Sequence, residues 1–284
     1  MTAADDPDDL RARLRESWES VAPNWDAKMD PFYAAAEPLS AWMIEQAAPA
    51  PGQRILEVAA GRGDLGLALA PLVQPGGSVV CTDGAEAMVA VIERRAAEAG
   101  LELEARTMEL EWLDAPAASV DAIVSRFGYM LCVDPLAALQ EARRVLRPQG
   151  RLVIVVWDRP EHNLLLSAAV LEGIAAGHLP PPVPGEPGPF ALSDRDRLTG
   201  LLHDAGFLDV RLTDLPIELR MPSLDALWDM TLDASERLRG ILAGLSPAEH
   251  YRFRDAVEAR WAPYAATDGA VALPGLAIGV VADA

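Results

Sequence analysis

The stretch ILEVAAGRGDLGLALA, residues 55–70, passes from a short apolar strand pattern through a glycine-spaced turn into an apolar helix pattern. Within it, Gly61-Arg62-Gly63-Asp64-Leu65-Gly66 spells G-x-G-x-x-G. That spacing lets the backbone turn tightly and present its amides, with a helix N-terminus, to a ligand at the carboxyl end of the strand. Several nucleotides use such a turn, so its meaning depends on the strand before it, the helix after it and the charge around it.

Outward from this turn, short β-branched runs alternate with helical patterns through the first half of the chain, the sign of βαβ units and a parallel sheet. Strands are expected at Arg54–Ala59, Ser78–Thr82, Leu101–Thr107, Val120–Phe127 and Arg151–Trp157, and helices at Leu65–Leu72, Glu86–Gly100 and Pro135–Leu146. Pro148 and Gly150 read as a type I turn feeding the fifth strand. Two helices are expected before the first strand, around Leu10–Ser20 and Glu37–Ala47, with Trp18, Trp25, Phe32, Tyr33 and Trp42 clustered there. HLPPPVPGEPGPF, residues 178–190, is too dense in Pro and Gly for a core element and reads as an extended linker or lid. A capped helix (193–207), a strand (207–215), a run of helices (Ser223 to Tyr264) and an apolar strand (276–281) follow.

With 284 residues, 51% of them apolar, the chain can bury a sizeable core. Its formal charge of −19, from 43 acidic against 24 basic residues, opposes any partner with a phosphate backbone, so nucleic acid is excluded. The acidic DDPDD, residues 5–9, reads as a solvated tail. With no basic and apolar leader pattern at the start, a cytoplasmic location is expected. VALPGLAIGVVA, residues 271–282, is too short to span a bilayer and is broken by Pro274 and Gly275, so no membrane partner is expected. Cys81 and Cys132 form no C-x-x-C and read as core thiols, and no cluster at metal-ligand spacing is found. A monomer and a homodimer are both compatible with these features.

Charge narrows the ligand of the turn. Glu57 lies four residues before Gly61, and Asp64 opens the helix. Two carboxylates repel a pyrophosphate but suit a ligand carrying an ammonium and a sulfonium, which favours S-adenosylmethionine over NAD. Asp83 ends the second strand 20 residues after Gly63, where a carboxylate accepts from both ribose hydroxyls of either cofactor.

On these residues the chain resembles the class I S-adenosylmethionine-dependent methyltransferases, and within them the ubiquinone and menaquinone C-methyltransferase-like branch. ILEVAAGRG is similar to their first motif, with Glu57 as its acid, Gly61 and Gly63 as two of its glycines, and Ala59 where the first glycine is usual. CTDGAEAM is similar to the second motif, MELEWLDAPAASVDAIVSRFG to the region leading into the fourth strand, and RRVLRPQGRLVIVVW to the fifth-strand region, with Gln149 in place of a glycine.

The resemblance implies S-adenosyl-L-methionine as cofactor, held by Glu57, Ala59, Gly61, Gly63, Asp83, Gly84, Met88, Glu109, Leu110 and Arg126. It places Arg126 and Phe127 beside the methionine tail and the acceptor, which makes Phe127 a candidate for the acceptor pocket, and the N-terminal aromatics, placed to close over the open end of the sheet, add Trp25 and Tyr33. His162, just after the fifth strand, is the candidate general base. The expected fold is α/β, a Rossmann-like doubly wound sheet, mostly parallel with an antiparallel last strand, plus a helical cap. In that scheme residues 1–50 are helices covering the active site and 51–158 the cofactor-binding core. Residues 159–192 are a Pro-rich insertion or lid, and 193–284 complete the core, with a cap at about 223–264. The expected activity is methylation of carbon or oxygen in a small, mainly apolar or aromatic acceptor. An NAD-dependent oxidoreductase and a non-catalytic S-adenosylmethionine-binding protein are the alternatives.

Overall fold

The computed structural model describes residues 6–183 and 185–284. Asp5, part of the expected acidic tail, lies outside them. The rest of that stretch is not tail: the Asp6 carboxylate accepts from the Asp8 amide and caps helix α1 (Pro7–Lys28), whose dipole favours the acidic residues of its first turn.

β1 (Arg54–Val58), β2 (Ser78–Asp83), β3 (Glu104–Thr107), β4 (Val120–Arg126) and β5 (Leu146–Trp157) pair in parallel. Helices α4 (Asp64–Leu69), α5 (Glu86–Ala99) and α6 (Pro135–Val145) make connections between them. β6 (Leu208–Met221) and β7 (Val271–Asp283) complete one seven-stranded sheet in the order β3-β2-β1-β4-β5-β7-β6, and β7 runs antiparallel to both of its neighbours. β1, β4 and β5 are apolar runs buried on both faces, as a parallel sheet covered by helices requires. The strand order reverses between β1 and β4, and the crevice beyond the carboxyl ends of these strands is where such sheets take ligands.

Three local departures from the sequence pattern have physical causes. The chain before β1 holds three helices, not two: α1 continues through Pro23 to Lys28, and α2 (Asp30–Ala35) precedes α3 (Glu37–Ala47). Proline inside a helix removes one backbone bond. Here Val21 and Ala22, just before it, are buried against the rest of the protein, so packing overrides the local signal. Within residues 159–192, for which the sequence pattern gave no helix, α7 (Leu164–Ala175) precedes the Pro-rich stretch. Gln149 has φ +68, whereas both central residues of a type I turn have negative φ, so that turn is of another type. Its left-handed backbone also explains why a glycine suits this position.

β6 and β7 outrun the expected strands because they keep pairing with each other, Pro216–Met221 against Val271–Leu276, beyond the end of β5. This projecting ribbon carries a second apolar core. Leu219, Met221, Val271 and Leu273 pack with α7, α9 (Leu224–Ala234), α10 (Glu236–Ala243) and α11 (Pro247–Trp261), and Met29 and Tyr33 join them from the N-terminal helices. α8 (Arg195–Asp204) packs instead on the main core through Leu198 and Leu202. Among the described residues no helix is long and apolar enough to cross a membrane.

Ala59, directly after β1, has φ +49, the left-handed region that its methyl group disfavours. Ala59→Gly is therefore expected to stabilise the protein by up to about 1 kcal/mol, less the extra unfolded-chain entropy of glycine. Urea unfolding of the two proteins checks this, and a clear loss of stability in the variant contradicts it.

Candidate functional site

The glycine turn is anchored by the residue that ends the neighbouring strand. The Gly61 amide donates to Asp83 Oδ2 at 2.9 Å and the Ala85 amide to Asp83 Oδ1 at 3.0 Å. Enclosure at the strand end pushes the Asp83 carboxyl up to about 6; the two amide bonds work against that shift, and the Glu109 charge adds to it. Glu109 is drawn close, since a Cβ on Gly84 would lie 3.1 Å from its Oε2. Gly61, Asp83, Gly84 and Glu109 thus meet at the carboxyl ends of β1 and β2, with Leu110 packed against the main core. Met88 is fully buried and packs with Ala85, Ala22, Trp18 and Trp25, so α1 covers it.

Two carboxylates behave differently from the expectation based on charge. Glu57 is buried, and its Oε2 accepts from the Gly66 amide at 2.7 Å and the Cys81 thiol at 3.1 Å. That oxygen ties the first turn of α4 to the sheet. Desolvation pushes the Glu57 carboxyl up to about 7, against the pull of the Cys81 and Gly66 hydrogen bonds and of the Arg126 charge. Asp64 is neutralised where it stands by Arg62 and Arg95, each at 2.9 Å. Repulsion of a pyrophosphate by two bare carboxylates therefore does not discriminate between ligands here.

The N-terminal helices cover this crevice largely by polar contacts. Arg11 pairs with Glu111 at 3.0 Å, Arg15 with Glu109 at 3.4 Å and Arg62 with Asp30 at 2.6 Å, while Glu19 accepts from the Ala87 amide at the start of α5. Glu111 is buried, and its second oxygen accepts from the Asp134 amide. Its role is absent from the sequence reading, and its place two residues after Glu109 was the available signal. Tyr33 lies over the turn: its hydroxyl accepts from Trp25 Nε1 at 2.8 Å and would sit 3.3 Å from a Cβ on Gly61. The guanidinium carbons of Arg62 and Arg126 lie 3.7 Å and 5.1 Å from the centre of its ring.

Beyond Tyr33 the aromatics continue. Phe127, at the end of β4, stacks on Trp157 at 4.1 Å with ring planes 8° apart, and Phe32 packs near both at 6.0 and 6.3 Å. Phe127 holds φ +65, an unusual conformation for a bulky residue, imposed as the chain leaves the strand. A small cavity follows, lined by Phe32 and Trp157 together with Leu165, Leu166, Leu219 and Leu273 of the cap side. Asn163 also borders it, with its amide fully engaged on backbone groups of Asp158, Arg159 and Leu276. His162 does not line this cavity. Its ring is 54% exposed, with Nδ1 3.6 Å from Asp158. Phe32, Trp157 and Asn163 were not singled out as site residues from the sequence, because nothing local distinguishes them from core or loop residues.

Residues 55–150 match the family model described as a methyltransferase domain. The ubiquinone/menaquinone biosynthesis C-methyltransferase UbiE of Bordetella parapertussis is 32% identical over 152 residues, 53% of this chain and 59% of that protein. The chain thus spans less than two thirds of the length of that relative. The nocamycin O-methyltransferase of Saccharothrix syringae is 29% identical over 230 residues, 75% of this chain and 79% of that protein. In the crystal structure of the YcgJ protein of Bacillus subtilis the fold recurs with a TM-score of 0.58 at 19% identity, over 86% of this chain and 97% of that one.

Proposed function

We propose that this chain, which belongs to the class I S-adenosylmethionine-dependent methyltransferases, moves the donor's methyl group onto carbon or oxygen of a small, mainly apolar or aromatic acceptor. The observation that carries this reading is the aromatic group of Phe32, Phe127 and Trp157, which leads from the glycine turn to the apolar cavity under the cap.

The donor fits the crevice. Asp83 offers carboxylate lone pairs for ribose hydroxyls, and Glu109 stands over Gly84, where an adenine amino group can be received. The donor's sulfonium supplies an already activated methyl group, so the chain's own task is alignment and exclusion of water. Alignment alone is worth about 7–11 kcal/mol in well-ordered systems. Tyr33 and the helix carrying Trp25 close over the turn, and Phe127 with Trp157 offers a flat apolar wall for the acceptor. Burial pushes the Tyr33 hydroxyl up to about 12, so it stays protonated at neutral pH and orients without abstracting a proton. With His162 outside the cavity lining, the acceptor brings its own nucleophilicity.

The test is an acceptor screen with isotopically labelled S-adenosylmethionine, read by mass spectrometry of the products. Label is expected in small metabolites, and labelling of tRNA or intact protein with none in small molecules overturns the reading. Once an acceptor is found, Phe32→Leu is expected to raise its KM by up to about tenfold, the worth of one lost aromatic contact, with little change in Tm.

A further inference from the structure

We propose that Glu19 of α1 is a positioning residue for the donor: it caps α5 from across the crevice and so couples closure of the N-terminal helices to the shape of the donor site. The inference rests on the reading that the crevice holds S-adenosylmethionine.

α5 begins directly after the Asp83-Gly84-Ala85 turn, and its first turn carries Met88. The first four amides of a helix have no acceptor within it and need one from elsewhere. α6 and α8 meet that need with their own N-cap side chains, Asp134 and Asp194. α5 cannot, because its N-cap is Ala85, whose methyl group accepts nothing. The acceptor comes from α1 instead. Glu19 Oε1 receives the Glu86 amide at 2.5 Å and Glu19 Oε2 the Ala87 amide at 3.0 Å. One half-buried carboxylate thus serves two amides, and its charge complements the positive end of the α5 dipole.

The neighbours of Glu19 act in the same direction. Arg15, Glu19 and Ala22, at spacings of four and three, share one face of α1. Arg15 pairs with Glu109 at 3.4 Å, and Ala22, with Trp18 and Trp25, packs on Ala85 and Met88. On its other side α1 is tied to the cap, where Ser20 donates to Glu236 at 3.2 Å and Lys28 pairs with Asp233 at 2.8 Å. A single helix therefore bridges the donor half of the crevice and the helices over the apolar cavity. Lifting α1 takes the acceptor away from the Glu86 and Ala87 amides, and Ala85 has nothing to offer in its place. The first turn of α5, with Met88, then loses its tether. A donor that binds the settled turn favours α1 in its closed position, and the coupling is reciprocal.

The worth of a helix cap corresponds to about two- to thirtyfold in an equilibrium constant. Calorimetric titration with S-adenosylhomocysteine tests whether the donor feels it, using the wild-type protein, Glu19→Ala, Glu19→Gln and the double variant Glu19→Ala/Ala85→Ser. Glu19→Ala is expected to weaken binding within that range, and Glu19→Gln, which keeps an acceptor oxygen, to fall in between. Ala85 has the extended backbone, φ −93 and ψ 122, from which a serine caps its own helix, so the double variant is expected to recover affinity. Amide exchange read by mass spectrometry reports on the other half of the coupling. S-adenosylhomocysteine is expected to protect α1 in the wild type and to protect it less in Glu19→Ala. The proposal is overturned if Glu19→Ala, folded by its Tm, binds S-adenosylhomocysteine as the wild type does. It is equally overturned if neither Glu19→Gln nor Ala85→Ser recovers any of the loss, or if the protection of α1 by the ligand is the same with and without Glu19. Failure of the wild-type protein to bind S-adenosylhomocysteine at all contradicts the methyltransferase reading instead.

Discussion

Gly66→Ala is expected to cost the protein about 3 kcal/mol of stability or more, the upper range for forcing an extra methyl into a filled core. Gly66 lies in the first turn of α4, where that helix is pressed against β1 and β2. A Cβ there would stand 2.1 Å from Cys81 Sγ and 2.6 Å from Glu57 Oε2. Neither neighbour can give way cheaply. Cys81 is fully buried, and moving the Glu57 oxygen breaks its bonds to the Gly66 amide and the Cys81 thiol, leaving a buried polar group unsatisfied. The third glycine of the motif is thus required for close approach of helix and sheet and not for contact with a ligand. Denaturant unfolding measures the loss. Adding Cys81→Ala removes the closest obstacle, so the double variant is expected to regain part of the stability, and the two changes should be strongly non-additive. A Gly66→Ala protein within 0.5 kcal/mol of the parent, on the order of an ordinary surface change, contradicts this account.

The second large effect falls on donor binding. Asp83→Asn is expected to weaken S-adenosylhomocysteine by about 1–3 kcal/mol, through loss of charge-assisted hydrogen bonds to the ribose. The pH dependence gives a sharper test. The Asp83 carboxyl is pushed up to about 6, and ribose hydroxyls bind its ionised form. Affinity is therefore expected to be level above pH 6 and to fall as the pH drops through 6, while Asp83→Asn removes that fall. The stability of the protein without ligand moves the opposite way. Its folded-state value lies above the ordinary carboxylate value of 3.8, so between about pH 4 and 6 the folded protein holds a proton that the unfolded chain has released. Asp83 thus makes the free protein less stable as pH rises through that window. Calorimetry and thermal unfolding across pH 4.5–8 read both trends. An Asp83→Asn protein with unchanged affinity and an unchanged pH profile removes Asp83 from the site.

Much of the architecture was legible locally. The apolar run of β1, the glycines at 61 and 63 with left-handed backbones, and an acid 20 residues on are adjacent or regularly spaced in the chain, and turn chemistry and strand periodicity act over such distances. The alternation of strand and helix through Trp157 followed from the same local rules, and so did the apolar strand at the end, whose antiparallel direction was implied by the family resemblance.

What only the tertiary structure decided is which groups spend their charge on one another. Glu57 and Asp64 are plainly acidic in the sequence. Their partners, Cys81 and Arg95, lie 24 and 31 residues away and are brought in by the packing of β2 and α5. The sequence could not tell that both carboxylates have protein partners. Likewise Phe32, Trp157 and Leu219 come from three distant segments, and only the projecting β6–β7 ribbon and its helices close them into one cavity. Periodicity and turn residues report on neighbours along the chain. The pairing of charges and the shape of a cavity depend on long-range packing, which can carry α1 through a proline and bring Arg95 to Asp64.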